Sequence, residues 1–284
     1  MPSASIVIPT RARPRYLNVA LASIAPQADA QGAELLVVDD AGDSPAVRAL
    51  AGSFGARYEP HPQPLGLNVA RNTGVRHSSG ELVVFVDDDV RVAPGWLAAL
   101  LQGAEEHPEV QVFTGPIRPH LEGRAPRSCG REGPPITSLE LGGQDSDAVR
   151  WAWGANMAVR RAALERVGPF DVALEHGGDE QEWQERMLRA YDGRPIRYIA
   201  AAAVEHRRCG PDARLRSLAR AARGRGRASR RFDAWSGRAP TLARELRTLG
   251  GCVGHVVRYR CPAGLVMTSH SLGRVGEALR ERRG

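Results

Sequence analysis

The residues of this chain that can do chemistry gather at the ends of apolar runs. Leu82 to Val86 lead straight into Asp87, Asp88 and Asp89. Three adjacent like charges repel one another, so grouping them there implies something that they bind. In an extended chain Asp87 and Asp89 point to one side and Asp88 to the other. Such a carboxylate-x-carboxylate pair can hold a divalent cation, which then neutralises a diphosphate. The plainer alternative is a solvated turn whose acids cap the next helix. Asp39-Asp40 closes a second run, "ELLVVDD", in the same way, and His206 ends a strand of small residues. A third acidic group, Asp179, Glu180 and Glu182 in "GGDEQEWQER", opens a helix, where the N-terminus favours ionised carboxylates. In "RWAWGANM", Trp151 and Trp153 can stack on a ring or fill a core. Gly154 permits close approach, and Asn156 can bond to hydroxyls.

Two other diphosphate or phosphate chemistries fail on the residues. A prenyl-diphosphate site wants an acid four positions after Asp87, where Arg91 stands. Aspartate-nucleophile phosphatases need a partner lysine, and the chain has no lysine: all 39 basic residues are arginine. Schiff-base chemistry and lysine-dependent phosphate sites are excluded with it.

The elements that must position these groups alternate. "ASIVIPT" (4–10) precedes an amphipathic stretch over 15–25, and "ELLVVDD" (34–40) precedes a helix over 44–55, with Ser44 as cap and Pro45 at its first position. A short strand at 56–59 leads to a helix over 66–80, then the triple-Asp strand and a helix over 94–108. Continuous apolar strands alternating with helices predict a parallel sheet covered on both faces, with ligands beyond the carboxyl ends of the strands. Residues 119–149 are rich in Gly, Pro and Arg without a period, which predicts a long loop. A helix over 179–193 and a single strand over 196–206 follow. Beyond them lie an arginine-dense stretch (207–232) and a helix over 241–260, with an apolar stripe of Leu242, Leu246, Leu249, Val253 and Val256.

Charge divides the chain. Residues 1–206 hold 20 arginines and 27 acids, net −7, whereas residues 207–284 hold 19 arginines and 5 acids, net +14. A length of 284 residues allows one large domain or two smaller ones. No apolar stretch reaches the ~20 residues that span a bilayer, and the opening residues do not read as a signal peptide, so a cytoplasmic location is expected. Cys129, Cys209, Cys252 and Cys261 are scattered with no Cys-x-x-Cys pair, and neither a disulfide framework nor a zinc site is expected of them.

From about residue 4 to 206 the chain resembles the family 2 glycosyltransferases, whose nucleotide-sugar-binding domain has the GT-A fold. The resemblance is carried, in the family's order, by "SIVIPTRARP", "VVDDAGDS", "GLNVARNTGV", "VFVDDDV", "WGANMAVRRAALERVGPFD", "GGDEQEW" and "VEH". It implies an α/β GT-A domain at 1–206 followed by a basic helical region at 207–284. It implies that Pro9, Thr10 and Arg11 pack on the donor's base and ribose, that Asp39 accepts a hydrogen bond from the base with Asp40 beside it, and that Arg71 meets the donor. Asp87, Asp88 and Asp89 are implied as the donor and metal motif, with Asp89 the direct ligand and Asp87 also a ribose contact. His206 is implied to complete the site for Mn²⁺ or Mg²⁺. Trp153, Gly154, Asn156 and Glu182 fall on the substrate side. The catalytic base falls on Asp179 or Glu180: the order departs from the family's glutamate-then-aspartate, and alignment with the second acid favours Glu180.

The expected function is metal-dependent, inverting transfer of a sugar from a nucleotide diphosphate, UDP first and GDP or dTDP next, to a hydroxyl acceptor. That acceptor would be a small molecule, a natural product, or a glycan or lipid-linked saccharide. The competing readings are a non-catalytic sugar-nucleotide or nucleic-acid binding protein and a sugar-1-phosphate nucleotidyltransferase. The latter's glycine-rich N-terminal loop and catalytic lysine are both missing. For the basic region, packing on the net-negative catalytic part is expected first and peripheral contact with an anionic membrane second. Nucleic acid is disfavoured because residues 207–231 lack aromatics for stacking.

Overall fold

A computed structural model describes residues 3–123, 126–174, 178–193 and 196–282. The chain parts into two compact units. One comprises residues 1–118, 138–175 and 179–206; the other comprises 119–137, 176–178 and 207–284. The loop segment 119–137 thus groups with the C-terminal residues rather than with the sheet that precedes it.

The first unit is built on a seven-stranded sheet. Its first half is β1 (Ala4–Thr10), β2 (Glu34–Asp39), β3 (Arg57–Pro60) and β4 (Leu82–Phe85), in the order β3-β2-β1-β4 and all parallel. Between them run α1 (Pro14–Ala30), α2 (Pro45–Ser53) and α3 (Leu67–Arg76). Ser44 caps α2 as expected, its Oγ accepting from Val47 N at 3.4 Å, with Pro45 at the first helical position. After β5 (Val90–Val92) and α4 (Trp96–Glu106) come β6 (Val112–Thr114), β7 (Ile117–Leu121) and β8 (Met157–Arg160). Strand β8 runs antiparallel to both β4 and β6, so the sheet is mixed rather than wholly parallel.

Alternation along the strands builds a core on each face. Ile6, Ile8, Val37 and Val84 pack with Leu17, Leu21, Val47 and Leu100 of α1, α2 and α4. Val7, Val38, Val83 and Phe85 face Ala70 of α3, then Leu164 of α5 (Arg161–Val167) and Trp183 and Met187 of α6 (Asp179–Ala190). Trp183 is a core residue, with no exposed surface.

The single strand expected over 196–206 is two strands. β9 (Arg197–Tyr198) pairs with β6, a turn closes with Ala202 N donating to Ile199 O at 3.0 Å, and β10 (Val204–Arg208) leaves for a second sheet in the order β5-β10-β7. Small alanines allow that turn, and it decides where His206 sits.

The second unit contains three long helices, α7 (Leu215–Trp235), α8 (Leu242–Tyr259) and α9 (Gly264–Glu281). Two of its enclosed arginines are paired with acids of the same unit. Arg230 meets Glu281 at 2.6 Å and Glu245 at 3.4 Å, and Arg274 meets Glu245 at 2.7 Å and Asp233 at 2.6 Å. The stripe expected on α8 splits. Leu242, Leu249 and Val256 turn partly inward, flanking buried Glu245, whereas Leu246 and Val253 are exposed. The Glu245 ion pairs, rather than a continuous apolar seam, set that helix's inner face.

Candidate active site

Every sequence-derived site residue lies in the first unit, and most lie at the carboxyl edge of its parallel strands. The antiparallel pairing of β5 with β10 sets His206 opposite Val90 and so beside Asp89, with Nε2 3.3 Å from Oδ1. Asp87, Asp89 and His206 each offer one ligand atom, and all three atoms lie within 4.8 Å of one another. Burial and then the neighbouring Asp89 push the Asp87 pKa up, a cost that a bound cation would relieve. Two carboxylates and an imidazole suit Mn²⁺ or Mg²⁺, so these residues fit the expected ion.

Asp88 lies with Asp89 in the turn after β4 and bonds to Thr10 and Arg13. Thr10 Oγ1 donates to its Oδ2 at 2.7 Å, and Arg13 Nη1 meets its Oδ1 at 2.9 Å. Burial lifts the Asp88 carboxyl to about 7 even though Arg13 pulls it down. Arg13 Nη2 also reaches Asp89 Oδ2 at 2.6 Å. Arg13 therefore bridges two of the three acids. The sequence reading missed it; Arg11, expected on the donor's base and ribose, is exposed. The signal was Pro14: it starts α1 and fixes the residue before it at the helix mouth.

Asp39 is enclosed and accepts from Tyr58 OH at 2.9 Å and Ala41 N at 3.1 Å; burial and Asp39 together push the Tyr58 hydroxyl up to about 12. Asp40 serves the protein. Its carboxylate accepts from Leu65 N at 2.7 Å and Gly66 N at 3.0 Å and lies 2.8 Å from His61 Nδ1, holding the loop that starts α3. Pro9, next to Thr10 on β1, is buried.

The acidic helix start is organised by Arg71, which is 1% exposed. Its Nη1 donates to Asp179 Oδ2 at 2.5 Å and its Nη2 to Glu180 Oε1 at 2.6 Å. Arg71 is thus committed to the two candidate bases rather than held open for a donor phosphate. Burial acts most strongly, to raise Glu180, but Arg71 together with hydrogen bonds from Asp179 and from the Glu180 and Gly154 N–H groups keeps that carboxylate below its ordinary value. Burial and the neighbouring Glu180 charge push Asp179 up to about 7. Arg71 and Glu180 both act electrostatically on Asp87, so the acidic helix and the Asp-rich strand end share one crevice.

Gly154 is required, though by the protein rather than a ligand. A Cβ there would lie 2.0 Å from Arg71 Nη2 and 2.7 Å from Glu180 Oε1, and its own N–H donates to Glu180 Oε1 at 3.1 Å. Asn156, expected to meet hydroxyls, is fully enclosed. Its Oδ1 accepts from Trp96 Nε1 at 2.9 Å and its Nδ2 donates to Ala202 O at 2.8 Å, pinning the turn between β9 and β10. Glu182 turns from the crevice and pairs with Arg186, one helical turn on, at 2.7 Å. Trp153 is half-buried and packs on the core cluster of Ile6 and Val84, which is the core-filling alternative.

The fold and this strand-end crevice place the protein among GT-A-like α/β proteins. The glycosyl transferase family 2 profile matches residues 5–168, and the chain belongs to that family. A pre-mycofactocin glycosyltransferase of Mycobacterium tuberculosis is 29% identical over 209 residues, covering 71% of this chain and 42% of that protein. A validoxylamine A glucosyltransferase of Streptomyces hygroscopicus subsp. limoneus is 28% identical over 212 residues, covering 63% of this chain and 46% of that protein. The chain thus spans less than half the length of these two relatives. Among solved structures, the mannosyltransferase PcManGT from Pyrobaculum calidifontis, in complex with GDP-Man and Mn²⁺, superposes with a TM-score of 0.66 at 17% identity. It covers 99% of this chain and 88% of that one, a likeness of fold.

Proposed function

We propose that the chain is a metal-dependent, inverting glycosyltransferase that moves a sugar from a nucleotide diphosphate, UDP first, to a hydroxyl acceptor, with residues 1–206 as its catalytic domain. The observation that carries this reading is the shared crevice. A three-ligand cluster, Asp87, Asp89 and His206, faces a carboxylate, Glu180, that is held ionised by a buried arginine. The ion would supply positive charge against the diphosphate as it leaves.

The remaining steps belong to the chain's own side chains. Asp39, at the end of β2, accepts from the base, while Pro9 and Thr10 line the nucleotide. Arg13 neutralises Asp88 and half of Asp89, so that adding the ion does not leave three bare acids. Glu180 takes the acceptor hydroxyl's proton as that oxygen attacks the anomeric carbon opposite the diphosphate. Arg71 and the Gly154 N–H hold its Oε1 in place. Asp179, more protonated at neutral pH, keeps the pair from carrying two full charges on one arginine. Support for the donor class comes from family membership and from the neighbour solved with GDP-Man and Mn²⁺.

The acceptor class stays broad: a small molecule, a natural product, or a glycan or lipid-linked saccharide. No helix of the described residues is long and apolar enough to cross a membrane. The +14 charge of residues 207–284 supports peripheral contact with an anionic surface. The deciding experiment is calorimetric titration of UDP, GDP and dTDP with and without Mn²⁺. One nucleotide is expected to bind only with the ion and to lose that binding in Asp89→Asn. No binding of any of the three under either condition would overturn the donor site.

A further inference from the structure

Four side chains of the second unit that are far apart in sequence meet at one point. Cys129 and Glu132 come from the Gly/Pro-rich loop, His255 from the last turns of α8, and Cys261 from the turn into α9. Each offers one ligand atom, and all four atoms lie within 4.8 Å of one another. Cys261 is buried. The Cys129 thiol donates to Glu132 Oε2 at 3.1 Å and lies 3.4 Å from His255 Nε2.

Arg131 N also donates to Glu132 Oε2, at 3.1 Å. Glu132 Oε1 is shielded from solvent and has no hydrogen-bond partner among the described residues, while Oε2 accepts from Cys129 and Arg131. The surroundings hold the imidazole in place. Gly264, at the start of α9, would carry a Cβ only 2.9 Å from His255 Cδ2, so only glycine leaves room for the ring. Tyr259 packs on His255 at 5.1 Å between ring centroids, and Arg131 sits 4.4 Å over Tyr259. Ala263 N donates to Arg127 O at 3.2 Å, tying the loop to the α8–α9 turn beside the cluster.

We propose that Cys129, Glu132, His255 and Cys261 form a structural zinc site that fastens the 126–137 loop to the α8–α9 turn. Two thiols, one imidazole and one carboxylate make a complete four-coordinate donor set. Tetrahedral zinc, with bonds of about 2.0–2.3 Å, places its ligand atoms roughly 3.3–3.8 Å apart, close to the spacings already present. Donor softness separates this site from the one in the first unit. A thiolate pair selects zinc, whereas the carboxylate-rich cluster of Asp87 and Asp89 suits harder ions. Binding displaces the protons of both thiols, including the one that Cys129 shares with Glu132. With four protein ligands and no open position the site is structural. The absence of any Cys-x-x-Cys pair argued against zinc in the sequence. Cys129-x-x-Glu132 and His255-x₅-Cys261 each supply half a site, and only folding joins them.

The test uses the full chain purified under reducing conditions without chelator. Elemental analysis is expected to find about one zinc per chain. Replacement by Co²⁺ is expected to give the visible ligand-field bands of a tetrahedral site with near-ultraviolet thiolate charge transfer. Cys129→Ser and Cys261→Ser should each lose the charge-transfer band in part and zinc retention in full. Stripping zinc should speed tryptic cleavage at Arg127 and Arg131, which are exposed but held in the fastened loop. Far-UV circular dichroism, with Mn²⁺ and nucleotide binding at the first unit, confirms that each variant is folded. A folded, reduced protein that retains no zinc and gives no cobalt bands would overturn the proposal. So would bands unchanged in both serine variants, or a Cys129–Cys261 disulfide that takes up no metal after reduction.

Discussion

Replacing Arg71 by methionine tests the centre of the site most sharply. The guanidinium is 1% exposed and serves Asp179 at 2.5 Å and Glu180 at 2.6 Å. Methionine keeps most of the volume and removes the charge, leaving two carboxylates buried beside one another. Breaking a buried ion pair by removing one partner costs about 3–5 kcal/mol. With m near ~2.5 kcal/mol/M in urea, the transition of the first unit should move down by about 1–2 M. The two units need not unfold together, so the probe should be Trp183, deep in the first unit's core. A second consequence follows from electrostatics. Arg71 is the largest of the groups that hold Glu180 below its ordinary value against burial, so without it the carboxylate protonates at higher pH. The acidic limb of the transfer rate should therefore shift to higher pH. Adding Asp179→Asn to Arg71→Met should restore part of the lost stability, because one of the stranded charges is gone. An Arg71→Met protein within ~1 kcal/mol of the parent, with an unshifted acidic limb, would refute the reasoning.

Three further changes separate roles within the same crevice. Gly154→Ala puts a methyl 2.0 Å from Arg71 Nη2 and should lower kcat/KM by about 10²-fold through misplacement of Glu180, read by steady-state transfer assays. Asp179 has a folded pKa of about 7, above that of an unfolded carboxylate near ~3.9, so the folded state holds its proton more tightly. Stability from this group is present at low pH and is lost between about pH 4 and 7. Asp179→Asn should therefore raise the melting temperature relative to the parent more at pH 8 than at pH 5, and not at pH 3, by parallel thermal melts. Glu182→Gln breaks the pair with Arg186 at 2.7 Å and should cost about 1–3 kcal/mol in denaturant titration while leaving kcat unchanged.

The sequence by itself determined the layered α/β frame and the family. Apolar β-branched runs alternating with helical periods leave few other solutions, and acids at the ends of buried strands must emerge at one edge. It gathered Asp87, Asp88 and Asp89 at one strand end, but the turn at Asp88–Asp89, rather than a strand period, sets Asp87 and Asp89 beside His206 and lets Arg13 bridge Asp88 and Asp89. Partners distant in the chain were decided only by tertiary structure. Which arginine of "PTRARP" meets the acids depends on the entry angle of α1, and Arg13 rather than Arg11 turns inward. Arg71, Asn156, Gly154 and Glu182 all read as ligand-facing by type. Packing instead gave Arg71 to Asp179 and Glu180, Asn156 to Trp96 and Ala202, and Glu182 to Arg186. Gly154 is glycine because a guanidinium fills the space beside it. His206 joins Asp89 only because a turn of alanines breaks one expected strand into two and sends the second half to β5. Residue type limits what a side chain can bond to. Burial decides which of those bonds it must make, since an enclosed polar group left without a partner is too costly to keep.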